Sequence, residues 1–350
     1  MQGQSLKIVL MKKPILLLTL LLLAVITLSG CRSTPVSAGP AKSQPDRTSD
    51  EQQPLIAVPS ITATTRPTQI PTNSPQVNQL ESPSPSQSAE MSTPLPSATP
   101  TLGPDGWQDL PVVPETISER TRAIYQRGLE LGNNPQAFSK VGDCGSTPAW
   151  FLGDFDRGPE FYSLGDHREL QGVINTFDGS YARTSLAAQS GMNASSAFVA
   201  LWANREICQP GEAPIACEYR VHQPAFVIIM LGTNDVWHPD RFEPQMRAIL
   251  DFYIENGVVP ILSTKADNLE GDGSLNAIIA RLAQEYEIPL WNFWSAVQDL
   301  PDQGLQEDGA HLTFGRSFFD DPDWMQRGWT RRNLTALQVL DAVWRGVQDR

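Results

Sequence analysis

The amino-acid sequence predicts an α/β fold in which a parallel sheet is covered by helices on both faces. Residues 225–231 read Ala-Phe-Val-Ile-Ile-Met-Leu and are all apolar, which is typical of a strand buried on both faces. Shorter apolar runs precede and follow this segment, and helical stripes of apolar residues separate the later runs. Strands that alternate with helices of this length form parallel sheets.

The predicted elements follow one another in a regular order. Strands are expected at residues 138–141, 225–231, 258–262 and 289–293, with Pro260 indicating a less central position for the third. Helices are indicated where apolar residues recur at i, i+3, i+4 and i+7. Two such stripes contain Met246, Ile249, Leu250 and Tyr253, and Leu275, Ile278, Ile279 and Leu282. Leu337, Leu340, Val343 and Trp344 mark a closing helix. A further apolar helix is expected at residues 197–202.

The N-terminus has the features of an export signal. Lys12 and Lys13 precede an apolar run over residues 15–28, which is shorter than the roughly 20 residues of a spanning helix. The run ends in Leu-Ser-Gly-Cys, which resembles a bacterial lipobox in which Cys31 is acylated. Residues 1–31 are therefore interpreted as a signal peptide with a lipobox, and the chain as lipid-anchored to the outer face of a bacterial cell membrane. An ordinary secretory signal with a chance cysteine is the alternative.

The composition changes sharply after Cys31. Residues 32–105 contain no aromatic side chain and hold 14 of the 29 prolines. Such a segment cannot bury enough apolar surface to offset its chain entropy, so it is predicted to be a disordered Pro/Ser/Thr-rich stalk. Residues 106–350 contain every aromatic residue and are long enough for one folded domain. The formal net charge of −13 argues against nucleic acid as a partner.

The remaining cysteines divide into a pair and a single thiol. Cys208 and Cys217 flank a polar, turn-rich loop, so a disulfide is expected between them in an exported chain. This pairing leaves Cys144 free. No cluster of His, Cys and acidic residues has metal-ligand spacing, so neither a metal nor another cofactor is expected.

Polar blocks stand where predicted strands end. They are Gly142-Asp143-Cys144-Gly145-Ser146, Ser190-Gly191-Met192-Asn193, Gly232-Thr233-Asn234-Asp235 and Asp308-Gly309-Ala310-His311. Parallel sheets bind ligands at the carboxyl ends of their strands, so these blocks are candidates for one site. In their order and content they resemble the blocks of the SGNH (GDSL-type) hydrolases. The resemblance spans residues 138–311 and implies a three-layer α/β/α fold with a flavodoxin-like, doubly wound sheet.

The same resemblance implies a role for each polar residue. Acyl transfer needs a nucleophile, a base, a group that orients the base, and donors for the developing oxyanion. Cys144 stands at the nucleophile position, with His311 as base and Asp308 as its orienting carboxylate. The implied oxyanion donors are the Cys144 N–H, the Gly191 N–H and the Asn234 side-chain amide. The implied supporting residues are Asp143, Gly232 and Asp235.

The family pattern has serine where this chain has Cys144, which leaves three interpretations open. A thiol ionised by the His311 imidazolium is a strong nucleophile. Ser146 could serve instead, or the domain could be inactive and only bind a glycan or acyl ligand. The expected function is a cell-surface ester hydrolase or acyltransferase that acts on glycan, lipid or small O-acyl esters.

Overall fold

The computed structural model describes residue 103 and residues 105–348. The predicted signal peptide, the lipobox with Cys31 and nearly all of the predicted stalk lie outside the described residues. Those residues belong to one of the two units into which the chain divides, Met91–Arg350. None of the helices described there combines the length and apolar character that crossing a membrane requires.

The described helices and strands alternate along much of the chain. In order they are α1 Glu119–Leu131, β1 Asn134–Gly142, β2 Tyr162–Ser163, α2 Gln171–Thr176, α3 Pro214–His222, β3 Pro224–Met230, α4 Pro239–Glu255, β4 Val259–Ser263, α5 Ser274–Glu285, β5 Leu290–Trp291, α6 Phe293–Val297, β6 Ser317–Phe318 and α7 Gly328–Gly346.

The main sheet is parallel, with the strand order β1-β3-β4-β5. Gly142 at the end of β1 also forms a parallel bridge with Ala188, on the side away from β3. A second, two-stranded parallel pair joins β2 to β6. The chain therefore has the parallel α/β architecture that the sequence predicts.

Helices pack on both faces of this sheet. Phe226 of β3 contacts Tyr125 of α1 at 5.5 Å and Phe177, just after α2, at 5.5 Å between ring centres. On the opposite face, Ser139 of β1 donates a hydrogen bond to the buried Glu218 of α3. The two layers of helices bury β3 over nearly its whole length, which explains why its residues are apolar without alternation.

The expectation that Pro260 marks a less central strand is wrong. Strand β4 lies between β3 and β5 and is buried throughout. The Leu262 and Thr264 N–H groups donate toward the β5 side, to Pro289 and Trp291. Pro260 lies two residues before Leu262 in the strand, so a hydrogen on its nitrogen would point to the same side. At that position β5 has not yet begun. The proline therefore removes no hydrogen bond of the sheet.

Two other expectations need correction. Residues 197–202 form no α-helix but lie in two single 3₁₀ turns, Ser195–Phe198 and Ala200–Trp202, separated by the extended backbone of Val199. The predicted strand at 289–293 is only two residues long. It ends because the Asn292 side chain accepts a hydrogen bond from Ser295 N–H and caps α6.

Candidate active site

The first polar block turns sharply at the end of β1. Residues 144–146 form a 3₁₀ turn in which Asp143 Oδ1 accepts a hydrogen bond from Gly145 N–H at 2.8 Å. Ser146 is buried, and a Cβ at Gly142 would lie 2.1 Å from its Oγ. The motif therefore needs glycine at 142 to accommodate Ser146, whose hydroxyl oxygen is buried.

The structure brings Cys144, His311 and Asp308 together. Cys144 Sγ lies 3.9 Å from His311 Nε2. His311 Nδ1 lies 2.6 Å from Asp308 Oδ2. The other carboxylate oxygen of Asp308 accepts hydrogen bonds at 3.0 Å from the N–H groups of Ala310 and His311. This is the geometry in which a carboxylate orients an imidazole and leaves Nε2 directed at the sulfur.

His311 lies on a tight turn. Gln306 N–H donates to His311 O at 2.7 Å, and the Gln306 side-chain amide donates to Leu312 O at 2.7 Å. Leu305 and Leu312 pair as an antiparallel bridge at the base of the turn. The His311 side chain is 61% exposed, so it lies on a surface turn, whereas Cys144 lies at the end of a buried strand.

The second and third blocks are joined by Asp235. Its carboxylate accepts hydrogen bonds from Gly232 N–H at 3.1 Å and from Ala194 N–H at 3.0 Å. Gly191 has a φ of 78° and is exposed, and a Cβ there would lie 3.7 Å from Trp202. Asp235 thus supports the two blocks that contain the predicted oxyanion donors.

Asn234 lies beside the first block. Its Nδ2 donates to Met192 O at 3.2 Å and approaches Asp143 Oδ2 at 3.4 Å. The amide predicted to stabilise an oxyanion therefore has protein acceptors in this structure. Neither Asn234 nor Gly191 lines the cavity next to Cys144.

The electrostatic surroundings of the thiol differ from the sequence-based expectation. Burial and the neighbouring Asp143 carboxylate raise the pKa of Cys144. Burial likewise raises the pKa of Asp143. Desolvation and the negative charge of Asp143 both favour the neutral thiol, and they oppose the ionisation that we expect a His311 imidazolium to favour.

The carboxylate behind the imidazole titrates in the opposite direction. Hydrogen bonds from the backbone N–H groups of His311 and Ala310, and then from the His311 ring, lower the pKa of Asp308 to about 2. Asp308 therefore remains ionised at any pH well above 2 and keeps the ring oriented over that whole range.

A cavity of about 200 Å³ opens beside Cys144 and His311. Its wall combines aromatic and aliphatic side chains with a few charged groups. The lining residues are Asp143, Cys144, Gly145, Trp150, Met230, Leu231, Thr233, Ser263, Thr264, Lys265, Ala266, Asp267, Phe293, Gln306, Ala310, His311, Leu312, Trp329 and Arg332. An apolar wall with convergent polar groups is typical of a small-molecule site.

Two cations in this wall, Lys265 and Arg332, lie outside every motif of the sequence. Lys265 pairs with Asp267 at 2.8 Å and with Glu270. Arg332 is buried in α7 and lines the cavity near Cys144. Extending the stripe of the last helix by one turn, to positions 329, 332, 333 and 336, would have placed Arg332 on the buried face.

The predicted disulfide between Cys208 and Cys217 is present. Within the part of the chain that the structure describes, the three side chains that come close enough to hold a metal are these two cysteines and Glu212. Both sulfurs are bonded to each other, and Arg220 pairs with Glu212 at 2.7 Å. Cys144 is left as the free thiol of the described residues.

Comparisons with known proteins find relatives of similar sequence. The chain is 29% identical over 182 residues to thioesterase 1/protease 1/lysophospholipase L1 of Escherichia coli, a match that spans 44% of this chain and 87% of the relative. No family profile matches the chain.

Solved structures give matches of lower identity. A GDSL-like lipase from Bacteroides thetaiotaomicron is 16% identical, with 63% of this chain and 98% of that chain covered and a TM-score of 0.37. An acetyl esterase variant solved with an acetate ion is 16% identical, with 59% and 99% covered and a TM-score of 0.36.

Proposed function

This chain belongs to the SGNH (GDSL-type) hydrolase superfamily of esterases, lipases and acyl hydrolases, and from this membership we propose that it cleaves or transfers acyl esters through Cys144. The observation that carries the proposal is the alignment of Cys144 Sγ, His311 and Asp308, at 3.9 Å and 2.6 Å. A relative named as a thioesterase and lysophospholipase supports a lipid or small-molecule ester as the substrate.

The proposed reaction begins with a neutral thiol. His311 Nε2 accepts the Cys144 proton as the sulfur attacks the ester carbonyl carbon, because the surroundings disfavour a free thiolate. The tetrahedral intermediate collapses to a thioester, and the alcohol leaves with the proton held on His311. Water, or an acceptor alcohol, then attacks the thioester while His311 accepts its proton, which returns to the sulfur.

The negative charge of the tetrahedral intermediate needs donors. The superfamily resemblance assigns this role to the N–H groups of Cys144 and Gly191 and to the Asn234 amide. In the proposed mechanism, Asn234 Nδ2 exchanges its contact with Met192 O for one with the oxyanion. Donors held near this position contribute roughly 3 to 4 kcal/mol each in other enzymes.

A second candidate function is a binding domain without catalysis. The observation that favours it is the Asn234 amide, which already donates to Met192 O and approaches Asp143. An oxyanion site shaped for oxygen also tolerates the longer C–S bond poorly. In this case the cavity would bind an acyl or glycan ligand without hydrolysing it.

The test compares hydrolysis of 4-nitrophenyl acetate by matched variants. We expect Cys144→Ala and His311→Ala to lower kcat/KM by about 10³-fold or more, as removal of a nucleophile or base does in triad enzymes. Cys144→Ser should retain or raise the activity, since it restores the oxygen that the superfamily uses. Ser146→Ala, which alters a buried hydroxyl outside the cavity, serves as the control.

Two results would contradict the catalytic proposal. Activity that persists in Cys144→Ala would move the nucleophile away from the thiol. Activity that is absent from the native protein and appears only in Cys144→Ser would establish the binding domain instead.

We further propose that the protein is exported and lipid-anchored through Cys31, so that its substrates are esters at the cell surface. The basic, apolar and lipobox-like segments of residues 1–31 support this location. Several acyl chains would be needed for stable attachment, because one chain alone binds membranes only marginally.

A further inference from the structure

Arg332 is a buried cation in the cavity wall that has no ion-pair partner among the residues that the structure describes. It is 6% exposed, and its Nη2 donates to Trp150 O at 2.7 Å. Its guanidinium lies 5.0 Å from the ring centre of Phe151. Among the described residues, neither Nε nor Nη1 meets a hydrogen-bond acceptor, and no carboxylate forms an ion pair with the group.

Such an arrangement is unfavourable unless something else completes it. A buried guanidinium normally pairs with a carboxylate, because desolvation of the lone charge is costly. Burial lowers the pKa of Arg332 to about 10, so the group is still a cation at neutral pH. Asp143 attracts it but lies beyond ion-pair distance, and Asp143 Oδ1 already accepts from Gly145 N–H.

The other cation of the cavity wall is already neutralised. Lys265 pairs with Asp267 at 2.8 Å and with Glu270, and Thr233 donates to Asp267 at 2.7 Å. An anion that enters the cavity would therefore be repelled on that side and attracted by Arg332. The charge pattern gives the ligand one preferred orientation.

The free edge of Arg332 is close to the candidate nucleophile. Nη1 lies 3.2 Å from the position that a Cβ on Gly145 would occupy, and Gly145 directly follows Cys144. Glycine at 145 leaves that space open between the guanidinium and the turn. An anionic group hydrogen-bonded to Nη1 would thus lie within a few atoms of the reacting sulfur.

We propose that Arg332 is the anion-recognition residue of this cavity and that the substrate is a short ester bearing a carboxylate. This inference rests on the proposed ester chemistry, to which it adds the substrate class. An arginine N–H donates a strong, charge-assisted hydrogen bond to a carboxylate oxygen. The carboxylate could belong to the acyl part or to the alcohol part of the ester, and the two are distinguished by experiment.

The experiment measures phenol release from two pairs of esters that differ only in one charge. One pair is 4-nitrophenyl hemisuccinate and its methyl ester, with the charge on the acyl part. The other is 4-acetoxybenzoate and its methyl ester, with the charge on the alcohol part. We expect the wild type to prefer the charged member of one pair, and Arg332→Gln to lower that preference in kcat/KM by about tenfold or more.

Two further variants control for charge and folding. Arg332→Lys keeps the positive charge and should retain part of the preference, even if Arg332→Gln folds poorly. Arg331→Gln is the matched control, because Arg331 pairs with Asp299 outside the cavity. This variant should leave the ratio of kcat/KM between the charged and the neutral ester unchanged. If the ratio of kcat/KM between the charged and the neutral ester is the same in Arg332→Gln as in the wild type, the inference is overturned.

A binding measurement separates this inference from the proposed function. Calorimetry should show that succinate binds the wild-type protein at least about tenfold more tightly than succinamide, and that Arg332→Gln removes the difference. Succinate binding that depends on Arg332, without hydrolysis of any ester, would uphold Arg332 as the anion-recognition residue but reject the proposed function and with it the ester substrate. Hydrolysis without a charge preference and without succinate binding would reject the inference alone.

Discussion

At the residue scale, Cys144 lies between two groups with opposite effects on its proton. His311 Nε2, 3.9 Å from the sulfur, can accept the proton. The Asp143 carboxylate and burial oppose the charge that would remain, and they raise the pKa of the thiol. We therefore expect the Cys144 thiol to stay protonated until it attacks a substrate, in contrast to the thiolate–imidazolium pairs of known cysteine enzymes.

The rate of alkylation by iodoacetamide tests this description. Only the thiolate reacts, and the pKa of Cys144 lies above that of an ordinary thiol, about 8.5. The labelling rate should therefore still rise about tenfold per pH unit at pH 8 and level off only at more alkaline pH. Asp143→Asn should move the profile to lower pH, because it removes the nearby negative charge. A plateau already reached at pH 7 would contradict this assignment.

At the element scale, β1 carries a lysine in its buried half. Lys140 is fully buried, and its ammonium group donates to Tyr181 O at 2.7 Å. Within the described part of the chain, no carboxylate forms an ion pair with it. Burial lowers its pKa to about 7. The strand that ends at the candidate nucleophile thus contains a group whose charge is unfavourable in the folded protein.

This lysine predicts a pH dependence of stability. Between pH 7 and about 10.4 the unfolded chain keeps the proton that the folded chain releases, so the free energy of unfolding rises with pH. The contribution is at most about 1.4 kcal/mol per pH unit in this window. Below pH 7 both states are protonated and the cost of burying the charge is fully present. Urea denaturation should show a flatter pH profile for Lys140→Met than for the wild type, and parallel profiles would refute the prediction.

Much of the element pattern could be predicted because it depends on local sequence. The unbroken apolar run of β3 and the stripe that includes Met246 and Tyr253 identify a buried strand and an amphipathic helix by themselves. The central position of the strand that contains Pro260 could not be predicted. A central strand accommodates this proline only because β5 begins later, and that depends on the tertiary structure. The 3₁₀ turns around Val199 were also missed, since short apolar runs do not distinguish helix from irregular structure.

The candidate site could be predicted in its residues but not in its environment. The spacing of Asp308 and His311 indicates that their side chains pair, and the structure contains this hydrogen bond. The raised pKa of Cys144 depends on how deeply Asp143 and the turn are buried, which no motif encodes. Arg332 is remote in sequence from every motif and enters the site only through the packing of α7.

At the scale of the whole molecule, the acidic folded part follows an N-terminal segment of a different composition. Acidic residues outnumber basic ones by 39 to 26 over the full chain. An anionic surface is repelled by anionic lipid, so the folded part has no evident electrostatic attraction to a membrane. Membrane association of the full chain would therefore depend on the proposed lipid at Cys31.

Fractionation of cells that express the full chain tests this dependence. The wild-type protein should be recovered with membranes, and Cys31→Ala should move it to the soluble fraction, because the acyl chains would be lost. Cys144→Ala is the matched control and should remain with the membranes. Recovery of Cys31→Ala in the membrane fraction would show that another segment holds the protein there.

The turn around His311 holds the imidazole and the Asp308 carboxylate in one short segment of the chain. Gln306, Asp308 and His311 bond mainly to one another and to the backbone of the turn, and Thr313 closes it against Gly304. Cys144, in contrast, is held by the sheet, since it follows β1 directly. The two halves of the candidate site are therefore positioned by different parts of the fold. A change in the length of the turn would displace His311 and leave the sulfur in place.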